Sequence, residues 1–142
     1  MNLCMIGTGY VGLVSGVCFS DLGNTVYCVD KDQLKINKLI NGHIPIYEPG
    51  LEEILKRNLK QKRLIFTTDL KNAVINSDII FICVGTPTKK NSNSANLKYV
   101  FNVAHQLKKI IKKYKIVVTK STVPVTTGDK IENILKNLYK KK

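Results

Sequence analysis

The sequence predicts an α/β fold: a Rossmann-like open parallel sheet of about five strands with helices on both faces, truncated after the fifth strand and forming one domain over residues 1–142. Three observations predict it. Short apolar runs alternate with helical stretches, and each crossover is long enough to bring the chain back as a parallel strand. The run IIFICVG at 79–85 is apolar throughout, as befits a strand covered on both faces. The opening residues, NLCMIGTGYVGL at 2–13, set three glycines between an apolar strand and a helix of small residues.

The first strand is Leu3-Cys4-Met5-Ile6. Gly7, Gly9 and Gly12 follow it as G-x-G-x-x-G, and VGLVSGVCFSDLG reads as a helix closed by Gly23. NTVYCVD is the second strand and ends in Asp30. Leu34, Ile36, Leu39 and Ile40 mark a short amphipathic helix that Asn41-Gly42 closes. His43 to Tyr47 is an extended linker, because Pro45 disfavours a helical residue before it. Glu48-Pro49-Gly50 opens the next helix, LEEILKRNLKQ, with Leu51, Ile54, Leu55 and Leu59 on one face. RLIFT at 63–67 is the third strand. Asp69 caps a short helix over DLKNAVIN, which Ser77-Asp78 ends before the fourth strand, IIFICVG. Thr86 to Asn96 has no periodicity, contains Pro87, Asn91, Ser92, Asn93 and Ser94, and reads as a mobile loop. A helix from Asn96-Leu97 to about Tyr114, a fifth strand at Lys115–Thr119, a loop at 120–124 and a helix from about Thr127 to Leu138 complete the order.

The balance of 23 Lys and Arg against 10 acids gives a net charge of +13, which raises the possibility of a nucleic-acid or membrane partner. The distribution argues against both. Arg occurs only at Arg57 and Arg63, the lysines fall on helices and at the tail, and no aromatic platform is interleaved with them. The charge reads as a solvated coat. No apolar run reaches the length of a bilayer span, and no basic segment precedes the apolar opening, so the reading is cytoplasmic, with no signal peptide. Cys4, Cys18, Cys28 and Cys83 form no C-x-x-C pair and read as buried free thiols in a reducing compartment, with no metal site.

In a sheet of this kind the ligand lies at the carboxyl ends of the strands. The first end carries the glycine turn, where free N–H groups and the helix dipole favour an anion. Gly7 makes the turn, Gly9 leaves room for a pyrophosphate, and Gly12 lets helix and strand approach. Asp30, at the end of the second strand about 20 residues past the glycines, is placed to accept hydrogen bonds from both ribose hydroxyls of an adenosine. Lys35 stands within reach of the same side. Thr86 and Thr122, at the fourth and fifth strand ends, bring hydroxyls to the same crevice. His43 and His105 have no acidic partner in sequence and read as structural. Pattern alone therefore gives a dinucleotide-binding domain.

Longer segments carry a resemblance. IGTGYVGLVSG at 6–16, CVDKD at 28–32, PIYEPGLE at 45–52, FTTDL at 66–70, FICVGTP at 81–87 and TKSTVPVTTGDK at 119–130 together resemble the N-terminal domain of the UDP-glucose 6-dehydrogenase family, which includes the GDP-mannose and UDP-N-acetylmannosamine enzymes. The KSTVPV stretch is more similar to the UDP-glucose members. The resemblance implies oxidation of the C6 alcohol of a sugar nucleotide to the acid with two NAD in succession, through a cysteine-bound intermediate. It implies that Gly7, Thr8, Gly9, Tyr10, Val11 and Gly12 cradle NAD, that Asp30 and Lys35 hold its adenine ribose, and that Thr86 and Thr122 line the nicotinamide side, with Thr122 also positioning a catalytic water.

Asn96 stands where the family has Asp. By resemblance, the sixth strand, the substrate domains and the nucleophilic cysteine lie beyond Lys142, and none of the four cysteines here matches that nucleophile. The expectation is thus an NAD-binding fragment without turnover, with UDP-glucose as partner only alongside the missing domains. The competing readings are a stand-alone module that associates with a separately encoded second half, a part of one of the other sugar-nucleotide dehydrogenases, and a basic nucleic-acid-associated protein.

Overall fold

A computed structural model of the chain describes residues 1–89 and 94–136. Its axis is β1 (Asn2–Ile6), whose last four residues are buried. Alternation decides which face each residue serves. Leu3 and Met5 enter one core, with Leu13, Val17, Val26, Cys28, Ile36, Leu39, Leu51 and Leu55. Cys4 and Ile6 enter the other, with Val74, Ile80, Ile82, Val100, Ala104 and Leu107. Because both faces are covered, β1 has no polar side, and its sequence reads as an unbroken apolar run.

The remaining strands are β2 (Thr25–Val29), β3 (Leu64–Thr67), β4 (Ile79–Ile82) and β5 (Ile116–Thr119). All pairings are parallel, in the order β3-β2-β1-β4-β5. Helices α1 (Tyr10–Asp21), α2 (Gln33–Ile40) and α3 (Leu51–Lys60) supply the first core, and α4 (Leu70–Ile75), α5 (Lys98–Ile110) and α6 (Thr127–Lys136) the second. The direction of strand order reverses at β1, so the crevice between the ends of β1 and β4 is a topological switch point.

The local signals act as the sequence suggests. Asp32 accepts from the Lys35 N–H at the start of α2, and Asp69 from the Asn72 N–H at the start of α4. Gly23 and Gly42, both at positive φ, follow the ends of α1 and α2.

Four expectations are corrected. The fifth helix ends at Ile110, not near Tyr114. Ile111 turns extended and stays buried, which aims the chain back toward β5, and no Gly or Pro marks that stop. In α2 only Ile36 and Leu39 are buried, while Leu34 and Ile40 face outward. A helix of 8 residues resting on a sheet edge needs only a narrow apolar stripe. Cys18 is exposed, because its position on α1 points away from the sheet. The described ends of the 86–96 segment are paired rather than loose. Thr88 and Ala95 form an antiparallel bridge, supported by Lys89 N–H to Ser94 O at 3.0 Å and Asn96 N–H to Pro87 O at 2.8 Å. The loop residues Asn91, Ser92 and Asn93, and the final lysines with the last turn of the predicted C-terminal helix, lie outside the described residues.

Candidate dinucleotide site

The glycine turn is built by close approach. Gly7 has φ +103°, a left-handed conformation that favours glycine, and its N–H donates to Val29 O at 2.7 Å. A Cβ there would stand 2.7 Å from Cys83 O. A Cβ at Gly12 would overlap the Gly7 carbonyl oxygen. A Cβ at Gly9 would meet nothing within 4 Å. Gly7 and Gly12 are therefore fixed by the protein's own packing, and Gly9 faces open space. Gly9 is also the N-cap of α1 and has no side chain to bond the first-turn N–H groups. No acid stands in that turn either, so its partial positive charge is left for an anion.

From this turn a cleft of about 620 Å³ runs across the ends of β1, β2 and β4. Its floor is apolar, with Ile6, Val29, Leu70, Cys83, Val84 and Val103. Its rim is polar, with Asp30, Lys31, Lys35 and Thr68 on one side and Asn102 and Gln106 of α5 on the other. Lys31 Nζ lies 5.3 Å from the ring centroid of Tyr99, so the two walls touch across the opening.

Asp30 is the most heavily bonded acid of the site. Its Oδ2 accepts from Thr8 N–H at 3.0 Å, Thr8 Oγ1 at 2.7 Å and Lys35 Nζ at 2.9 Å. Its Oδ1 accepts from Asp32 N–H at 3.2 Å. Burial pushes the carboxyl's pKa up, but the hydrogen bonds from Thr8 and Lys35, with the two backbone N–H groups, outweigh it and hold it at about 2. The group is ionised at neutral pH and fixed in orientation.

The predicted residues thus divide. Gly7, Gly9, Asp30 and Lys35 line the cleft. Gly12 supports it from behind. Thr8 is 1% exposed and directed at Asp30, so it braces the acid and has no surface of its own for a ligand. Tyr10 and Val11 are exposed on the first turn of α1, and the Tyr10 hydroxyl bonds the Glu48 carboxylate. Thr86 and Thr122 do meet. Thr86 Oγ1 donates to Thr122 O at 3.0 Å, and the two hydroxyl oxygens are 3.3 Å apart. They sit beside the cleft, whose wall is made by Gly85 and Pro87 on either side of Thr86. His43 and His105 are both exposed.

Sequence reasoning missed the Thr8–Asp30 bracing, the Lys31–Tyr99 contact and the role of Gly16. A Cβ at Gly16 would stand 2.5 Å from Cys28 Sγ, so α1 rests on β2 there. A fourth glycine one helical turn past Gly12 was the available signal for that contact. The other two join residues far apart in sequence.

Burial raises the Cys4 thiol to about 12, Cys28 further still, and Cys83 to about 11. None of these three is a nucleophile at neutral pH. Cys18 is exposed, but about 13 Å along the α1 axis from Gly9 at the usual helical rise.

The whole chain, residues 1–142, matches the model of the UDP-glucose/GDP-mannose dehydrogenase family, NAD binding domain. It is 52% identical over 136 residues to UDP-glucose 6-dehydrogenase of Rhizobium meliloti, covering 96% of this chain and 31% of that protein. It is 49% identical over 139 residues to UDP-glucose 6-dehydrogenase TuaD of Bacillus subtilis, covering 98% and 30%. Among solved structures, GDP-mannose dehydrogenase from Pseudomonas aeruginosa, in a ternary complex, superposes with a TM-score of 0.91 at 39% identity, over 100% of this chain and 33% of that one. The chain spans about a third of the length of the relatives it matches.

Proposed function

The chain belongs to the UDP-glucose/GDP-mannose dehydrogenase family, as its NAD-binding domain, and from that premise we propose that residues 1–142 hold the cofactor for oxidation of UDP-glucose to UDP-glucuronate. One observation carries the cofactor's placement: the open space at Gly9 and the ionised Asp30 line one cleft. The Gly9 opening fits a pyrophosphate over the uncapped start of α1, and the apolar floor fits a flat base. Asp30 and Lys35 receive the adenine ribose. Thr86 and Thr122 flank the nicotinamide, with the Thr122 hydroxyl orienting a water.

When bound, NAD supplies the hydride acceptor. The chain's own residues bind and orient it, and the first turn of α1 neutralises the charge of its pyrophosphate. Among the described residues no thiol is both ionisable and near the cleft, so the 142 residues bind NAD without turnover. The substrate-handling domains belong to segments outside these residues, on the same chain or on a separately encoded second half. UDP-glucose is the favoured substrate because the two curated relatives reported above, 52% and 49% identical, are named for it. No described helix is long and apolar enough to cross a membrane, and we place the domain in the cytoplasm.

The test is calorimetric titration with NAD, followed by an absorbance assay for NADH with UDP-glucose and NAD. Saturable NAD binding without NADH formation is expected. Absence of NAD binding, or turnover abolished by replacing one of the four cysteines, overturns the reading.

A further inference from the structure

Thr8 occupies a variable position of the glycine motif, yet its side chain is among the most buried polar groups of the chain, at 1% exposure. Its hydroxyl and its N–H both end on the same atom, Asp30 Oδ2, at 2.7 and 3.0 Å. Lys35 Nζ adds a third donor to that atom at 2.9 Å. A carboxylate oxygen offers about two lone-pair directions, so Oδ2 is filled. Oδ1 holds only the 3.2 Å bond from Asp32 N–H and retains a direction for a ligand. The half-buried Asp30 cannot exchange its two oxygens without breaking both Thr8 bonds.

We propose that Thr8 is a positioning residue that locks Asp30, so that a single carboxylate oxygen, Oδ1, reads one hydroxyl of the adenosine ribose and sets the preference for NAD over NADP. This rests on the assignment of Asp30 to the ribose of NAD. The grip of Asp30 on both ribose hydroxyls expected from the sequence is replaced by an unequal one. One hydroxyl donates to Oδ1 in a charge-assisted bond. The other meets Lys35, whose ammonium already gives one of its donors to Oδ2. Without the Thr8 hydroxyl, Oδ2 keeps only the Thr8 N–H and Lys35, the carboxylate is held less tightly, and it presents a less sharply fixed anion both to the ribose hydroxyl and to a 2′-phosphate.

The experiment compares NAD and NADP affinities by titration calorimetry for the parent, Thr8→Val and Thr8→Ser. Thr8→Val keeps the shape and removes the hydroxyl donor. It is expected to weaken NAD about tenfold while leaving NADP nearly unchanged, so that the ratio contracts. Thr8→Ser restores the parent ratio. A ratio unchanged in Thr8→Val, or not restored in Thr8→Ser, overturns the proposal. NAD analogues lacking the 2′- or the 3′-hydroxyl of adenosine give a second readout on the unmodified protein, independent of whether Thr8→Val folds. Unequal losses support one-oxygen reading, and equal losses overturn it. A parent chain that binds neither dinucleotide defeats the cofactor assignment itself, a separate result.

Discussion

The two ends of the cleft region are built differently. At the β2 end, Asp30, Thr8, Lys35 and Asp32 form a closed set of hydrogen bonds around one half-buried acid. At the β4 and β5 ends, Thr86 and Thr122 share their hydroxyls with each other at an accessible surface. The first end is set before any ligand arrives, so little of the binding energy goes into ordering it. The second has hydroxyls whose partners are exchangeable, which suits a site where the reacting group and water must come and go. Rigidity sits where the cofactor is proposed to be recognised, and freedom where the chemistry is proposed to occur.

The largest effect that would break this contrast comes from Gly9→Val. Its side chain enters the space proposed for the pyrophosphate, so NAD binding is expected to vanish while the melting temperature stays at the parent value. Detectable NAD binding by this variant would move the cofactor elsewhere. Gly12→Ala tests the opposite role of a neighbouring glycine. The added carbon overlaps the Gly7 carbonyl, and urea unfolding should show a loss of about 3 kcal/mol or more. Asp30→Ala removes the rigid end itself and should weaken NAD by about 1–3 kcal/mol by titration.

Acid sharpens the comparison further. The Asp30 carboxyl sits at about 2 in the folded chain against an ordinary 3.8. A depressed pKa stabilises the fold above the unfolded value and ceases to do so as pH falls through the folded one. The urea midpoint of the parent is therefore expected to approach that of Asp30→Asn between pH 4 and about pH 2, with their gap constant above that window. The smallest effect is expected from Thr122→Val, whose hydroxyl is exposed: a stability change within about 0.5 kcal/mol. A loss several times larger would mean the threonine pair is structural.

Most of the fold was legible because its signals are local. Short unbroken apolar runs, Asp32 and Asp69 before their helices, and Gly23 and Gly42 after theirs each act within a few residues. The end of α5 was not legible, because Ile111 leaves the helix while staying buried in the core that α5 itself serves, and neither Gly nor Pro announces it. The exposure of Leu34, Ile40 and Cys18 was hidden for a related reason, since apolar identity does not say how wide a stripe the neighbours cover. The gathering of Gly7, Gly9, Asp30 and Lys35 around one cleft, with Gly12 behind it, was readable from spacing. Thr8 was assigned to the cofactor because motif position says nothing of rotamer. Its partner 22 residues away became visible only with β1 and β2 side by side.

The central place of β1 has a consequence for synthesis. It leaves the ribosome before the other four strands of the sheet and finds one neighbour soon, at Thr25–Val29. Its other neighbour, paired as Leu3 to Ile79, must wait until β4 has been made. At roughly 5–20 residues per second, that leaves one edge of the central strand open for several seconds on every nascent chain. In that interval the growing polypeptide presents a sticky template to its neighbours on a polysome. A factor that covers short apolar segments as they emerge should therefore raise the yield of folded domain more than one acting after release.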